Sequence, residues 1–109
     1  MSDDADGAVG LERASLPELD DEGRATLFEG EPRTVRLALE AGESIPAHQH
    51  PGRDIVFHVL SGQMELTLAG ETISLGRGDV VRFNGAQDIS PRAETDCEAM
   101  LVLASSASE

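Results

Sequence analysis

At residues 42–62 the chain reads GESIPAHQHPGRDIVFHVLSG. Two histidines, His48 and His50, are separated by one residue, and the apolar run Ile55–Leu60 follows them before Gly62. Alternate side chains of an extended chain point to the same side, which puts the two imidazoles on one face, about 7 Å apart along the chain. The stretch therefore predicts a pair of nitrogen donors beside an apolar β-strand.

The segments around this stretch repeat a pattern of short strands and turns. Thr34–Glu40 and Gln63–Ala69 alternate apolar and polar residues, as half-buried strands do. Short apolar runs recur at 73–75, 80–83 and 99–103, with glycine-containing turns between them. Strands of about six residues with a turn every 8–12 residues are typical of an all-β sandwich or barrel.

The spacing of this motif resembles the first signature of the cupin superfamily. Gly42 is followed by five residues, then by His48 and His50, and Gly62 ends the strand as in that signature. Gly78-Asp79 resembles the start of the second signature, and the residues after it depart from that pattern. The resemblance covers residues 34–103 and implies a cupin-type double-stranded β-helix, a jelly-roll barrel of antiparallel strands.

The resemblance also implies a metal site. In the family a glutamate and a third histidine join the His-x-His pair, a donor set suited to divalent Mn, Fe, Ni or Zn. Here the ungapped alignment places Ile55 and Ile89 at those two positions. An isoleucine side chain has no atom that can coordinate a metal ion, so His48 and His50 alone would form a weak, degenerate site.

A second alignment, shifted by one residue, places Asp54 and Asp88 at the same two positions. His48, His50, Asp54 and Asp88 would then form a site of two histidines and two carboxylates. Strand parity opposes this alignment, because a shift by one residue turns a side chain to the other face. A β-bulge at residue 54 would allow it.

Two functions therefore remain open, and the sequence does not decide whether the chain is an enzyme. One is a metal-dependent enzyme or metal-assisted binding protein that uses the histidine pair. The other is a metal-free binding or regulatory module, whose cavity holds a small ligand among Ile55, Phe57, Ile89 and the two histidines. No catalytic residue is identified, and the reaction and ligand stay unassigned.

The chain divides into three zones. Residues 1–23 are acidic and poor in apolar residues, which predicts a loosely ordered arm with one docked turn. Residues 24–104 form the predicted barrel, and residues 105–109 form a frayed tail.

Charge limits the partners. The chain has 21 acidic and 8 basic residues, a net charge of −13, and all the basic residues are arginine. This field repels nucleic acids and anionic membranes. The acid excess without lysine predicts adaptation to a salt-rich cytosol, since salt screens self-repulsion.

With no leader or membrane span recognised, we expect a cytoplasmic protein. We also expect a homodimer that pairs through an outer sheet carrying Val56, His58 and Leu60.

Overall fold

A computed structural model of the chain describes residues 9–19 and 23–106. The predicted arm and tail therefore lie partly outside the described residues. Within the described residues, eight strands follow one 3-10 turn at Leu16–Glu18. They are β1 (Gly23–Phe28), β2 (Arg33–Leu39), β3 (Arg53–Ser61), β4 (Gln63–Leu68), β5 (Glu71–Gly76), β6 (Val80–Asn84), β7 (Ile89–Ala93) and β8 (Cys97–Ser105).

The strands form two antiparallel sheets. The larger sheet has the order β1-β2-β8-β3-β6, and the smaller has the order β5-β4-β7. The chain crosses between the sheets from β3 to β4, from β5 to β6, from β6 to β7 and from β7 to β8, as expected for a jelly roll. The prediction of an all-β cupin-type barrel is confirmed.

Alternation decides what each strand buries. Val35 of β2 pairs with Leu101 of β8, which pairs with Phe57 of β3, and all three face the smaller sheet. Leu66 of β4 lies in the same core, fully buried. The core thus fills the space between the sheets, where each strand contributes every second residue.

The chain turns from β3 into β4, and so from one sheet to the other, at Gly62. Its φ is +80°, and a Cβ there would lie 2.2 Å from the Asp96 carbonyl oxygen. Only glycine meets both conditions without moving the backbone.

The outer face of the larger sheet carries the alternate residues of the same strands, whose side chains point away from the core. It includes Val56, His58 and Met100, all half-buried, and Val80, which is 56% exposed. At one end of this face, Arg36 is 3% exposed and donates to Glu98 at 3.1 Å. A groove of about 550 Å³ lies there, lined by the 3-10 turn and by parts of β2 and β8.

Within the described ranges, no helix is long and apolar enough to cross a bilayer.

Candidate functional site

The segment that carries the histidine pair is held by backbone hydrogen bonds to two neighbours. His48 and Ile89 form an isolated β-bridge, with His48 N donating to Ile89 O at 3.1 Å and Ile89 N donating to His48 O at 2.8 Å. His50 N donates to Gly85 O at 2.7 Å. The pair thus lies in a bridge and loop between β2 and β3, rather than in a regular strand, and is fixed to the turn after β6 and to β7.

The two imidazoles lie side by side. Their ring centroids are 4.9 Å apart and the rings meet edge to face, at an interplanar angle of 87°. His48 Nδ1 lies 3.0 Å from the Pro46 carbonyl oxygen. Because a carbonyl oxygen only accepts, Nδ1 of His48 is the protonated nitrogen and Nε2 is left as an acceptor when the ring is neutral.

His50 favours its neutral form. Burial lowers its pKa from the ordinary value of about 6.5, and the nearby His48, Arg24, Arg33 and Arg53 lower it further. At neutral pH the ring therefore offers one N–H donor and one nitrogen acceptor. His50 can therefore hydrogen-bond to a ligand without adding positive charge.

Both histidines line a cavity of about 390 Å³ between the sheets. The remaining lining is apolar except for one arginine, and none of the described lining residues is aspartate or glutamate. The lining consists of Arg24, Val35, Leu37, Ile45, Pro46, Ala47, His48, His50, Ile55, Phe57, Phe83, Ile89, Pro91, Leu101 and Leu103. Such a space suits an apolar molecule with few polar groups.

Ile55 and Ile89 lie in the wall of this cavity, together with Phe57. Ile55 is 1% exposed, Phe57 0% and Ile89 3%, and all three belong to the core. The structure therefore brings the histidine pair together with two hydrocarbon side chains, and not with the glutamate and histidine of the family's metal site. These residues do not fit that donor set.

Asp54 and Asp88 lie elsewhere. Asp54 precedes Ile55 in β3, so it faces the outer side of the sheet, where its Oδ1 accepts from Asn84 Nδ2 at 3.3 Å. Asp88 accepts from the side chain of Gln49. Neither carboxylate lines the cavity. Across residues 9–19 and 23–106, no three His, Cys, Asp or Glu side chains are grouped so that they could hold a metal ion.

Arg24 is a lining residue that sequence reasoning missed. It lies in β1, opposite Leu37 of β2, and its side chain is exposed, so the cavity reaches solvent beside it. The polar–apolar alternation of Arg24, Ala25, Thr26 and Leu27 is a strand signal. The signal is short and adjoins the acidic arm, so it is weak in the sequence alone.

Comparison with known proteins agrees with the fold. The sequence pattern of the cupin domain, Cupin_2, matches residues 35–104. No curated protein matches the chain. Among solved structures, the cupin domain of Schizosaccharomyces pombe Cnp3 aligns with a TM-score of 0.75 at 20% identity, over 84% of this chain and 72% of that chain.

Two bacterial structures are similar as well. An RmlC-like cupin protein from Desulfovibrio desulfuricans has a TM-score of 0.75 at 23% identity, over 86% of this chain and 95% of that chain. A predicted oxalate decarboxylase from Thermotoga maritima has a TM-score of 0.69 at 23% identity, over 76% of this chain and 79% of that chain. At these identities the likeness concerns the fold, which hosts many activities. With the family's sequence pattern spanning most of its strands, the chain belongs to the cupin domain family.

Proposed function

We propose that this cupin is a small-molecule-binding protein with no resident metal, whose ligand occupies the cavity between the sheets. The observation that carries the proposal is the cavity itself: about 390 Å³, with walls almost entirely apolar and two imidazoles in contact on one side. This volume is within the usual range of small-ligand pockets, about 300–1,000 Å³.

The donor set argues against a metal-dependent activity. Two imidazoles supply one side of a coordination sphere, and Ile55 and Ile89 supply nothing to the rest. Such a pair binds a divalent ion weakly and competes poorly with cellular chelators. The metal-dependent enzyme remains the second candidate because the histidine pair itself is present.

The lining also lacks the carboxylate partner of a histidine acid–base mechanism. No Asp or Glu among the described lining residues orients or charges the two imidazoles. Binding needs less: an apolar body displaces water from the walls, and an imidazole fixes its polar end.

Filling the cavity tests the proposal. Leu101 is half-buried and lines the space, so Leu101→Phe adds volume inside it, whereas Met100→Phe adds the same ring on the outer face. We expect small apolar fragments, detected by ligand-observed NMR, to bind the wild type and Met100→Phe but not Leu101→Phe. Equal binding to all three proteins, or binding to none, contradicts the proposal.

A further inference from the structure

Arg24 gives the cavity a charge. Of the described lining residues it is the only one with a permanent charge, and it lies where the cavity opens to solvent. Its partners in the described part of the chain include no carboxylate, since the ion pairs there join Arg36 to Glu98, Arg53 to Glu31 and Arg92 to Glu65. Among the described residues, Arg24 is thus a guanidinium with no paired carboxylate beside an apolar cavity, in a chain with 21 acidic residues and 8 basic ones.

A second arginine lies nearby. The cationic groups that act on His50 are Arg24, Arg33 and Arg53, and of these Arg53 is paired with Glu31. Arg33 donates through Nη2 to Thr26 Oγ1 at 3.5 Å, and its Nε is buried with no hydrogen-bond partner. Thr26 and Arg24 share a face of β1, since they are two residues apart. Arg24 and Arg33 thus make a local positive field at the histidine end of an otherwise acidic molecule.

We infer that the cavity takes a small monocarboxylate, with its hydrocarbon body among the apolar walls and its carboxylate on Arg24. This inference rests on the proposed function and narrows it to a class of ligand. The planar guanidinium matches a carboxylate through two parallel hydrogen bonds. A doubly charged phosphate would lose more hydration on entering so apolar a space.

The histidine pair complements this arrangement. The two imidazoles line the same cavity and can donate to one carboxylate oxygen or accept from a ligand hydroxyl, while Arg24 supplies the charge. A neutral ligand of the same shape gains the apolar contacts but leaves the guanidinium without a partner. The carboxylate should therefore bind more tightly than its amide.

Matched ligand pairs test the inference. Phenylacetate is compared with phenylacetamide, and hexanoate with hexanamide, by titration calorimetry and ligand-observed NMR. The proteins are the wild type, Arg24→Gln, and Arg77→Gln, which removes the same charge at an exposed turn outside the cavity lining. We expect both carboxylates to bind the wild type and Arg77→Gln, and to bind Arg24→Gln about tenfold more weakly, the effect of one charge-assisted hydrogen bond.

The amides separate the two proposals. Amide binding at equal strength in all three proteins, and weaker than carboxylate binding in the wild type, supports the inference and shows that Arg24→Gln keeps its fold. If amides bind the wild type as tightly as carboxylates, the inference fails and the proposed function stands. If neither class binds the wild type, both fail.

Discussion

In the ungapped alignment Ile55 takes the position of the family's acidic ligand, and it is 1% exposed in the cavity wall. Ile55→Glu adds a carboxylate beside the two imidazoles, so we expect it to raise affinity for Mn²⁺ or Zn²⁺ sharply over a weak wild type. Without metal, the buried carboxylate should lower the free energy of unfolding by about 2–4 kcal/mol. Titration calorimetry measures the first effect and urea denaturation the second.

Ile55→Gln is the matched control, since it buries a polar group of the same size without the charge.

Asp54→Ala and Asp88→Ala should leave metal binding unchanged, because both carboxylates are engaged outside the cavity. A tight wild-type site that collapses in Asp54→Ala would show that the shifted alignment is the correct one.

His50 links stability to pH. Its pKa is lowered in the folded protein, first by burial and then by His48 and three arginines, so folding favours the neutral ring. Its contribution to the free energy of unfolding is complete above the unfolded pKa of about 6.5 and is lost as pH falls through the lower folded pKa. We expect His50→Gln to flatten this decline and His58→Gln, on the outer face, to keep it. Denaturation at several pH values between about 7 and 5 measures the slope, and equal slopes in wild type and His50→Gln contradict the assignment.

Among single residues, the resemblance to the cupin signatures placed His48, His50, Ile55 and Ile89 together. Strand periodicity by itself relates only neighbours along the chain, such as His48 and His50. Arg24 could not be found this way. Its place in the lining depends on the pairing of β1 with β2, a contact between distant segments that no local pattern encodes.

Among the elements, the turn after β6 positions the histidine loop. Gly85 donates to Arg53 O at 2.8 Å and accepts from His50 N at 2.7 Å, and a Cβ on it would lie 2.5 Å from His50 O. Gly85→Ala must therefore displace the His50 backbone, and we expect it to cost about 1–3 kcal/mol of stability. Gly30→Ala is the control, since a Cβ added at residue 30 would have no atom within 4 Å.

Imidazole NMR signals give the local readout for Gly85→Ala. The His50 signals should shift more than those of His58, which lies on the outer face. If Gly85→Ala has the melting temperature of Gly30→Ala and its His50 signals do not shift, the turn after β6 does not position the histidine loop.

Six of the eight described strands follow directly from the alternation and turn signals, whereas β1, whose alternation adjoins the acidic arm, and β7 are harder to recognise from the sequence. Pro91 interrupts β7, and a proline inside a run argues against a strand. The structure accommodates it because β7 is an edge strand of the smaller sheet, where Pro91 O accepts from Ile45 N at 2.9 Å. Asn84-Gly85 has the composition of a tight hairpin turn, but β6 pairs with β3 and β7 with β4, so the segment joins two sheets.

At the scale of the molecule, the charge of −13 predicts a salt response. Raising KCl from about 0.1 to 1 M shortens the screening length from about 10 to 3 Å, so self-repulsion falls. We expect the free energy of unfolding to rise with KCl, as measured by urea denaturation. A triple variant that replaces the exposed Glu12, Glu18 and Glu71 with glutamine should respond less. A salt response that is flat in the wild type contradicts adaptation to a salt-rich cytosol.

The outer face of the larger sheet predicts the oligomeric state. Val56 and Met100 give it an apolar centre beside His58, which a second copy would cover by the same face, as a two-fold dimer requires. We expect light scattering to find a dimer at micromolar concentration. Val56→Glu should make it monomeric, whereas Thr72→Glu, with the same added charge on an exposed site of the smaller sheet, should not. A wild-type monomer in both low and high salt would rule out this dimer.

We propose that this cupin keeps the histidine pair of a metal site without the other donors among its described residues, and that its cavity binds an organic ligand with no resident metal. Elemental analysis of the native, untagged protein purified without chelators tests this proposal. We expect substoichiometric metal of mixed identity. Near-unit occupancy by a single transition metal would contradict it and favour the metal-dependent enzyme.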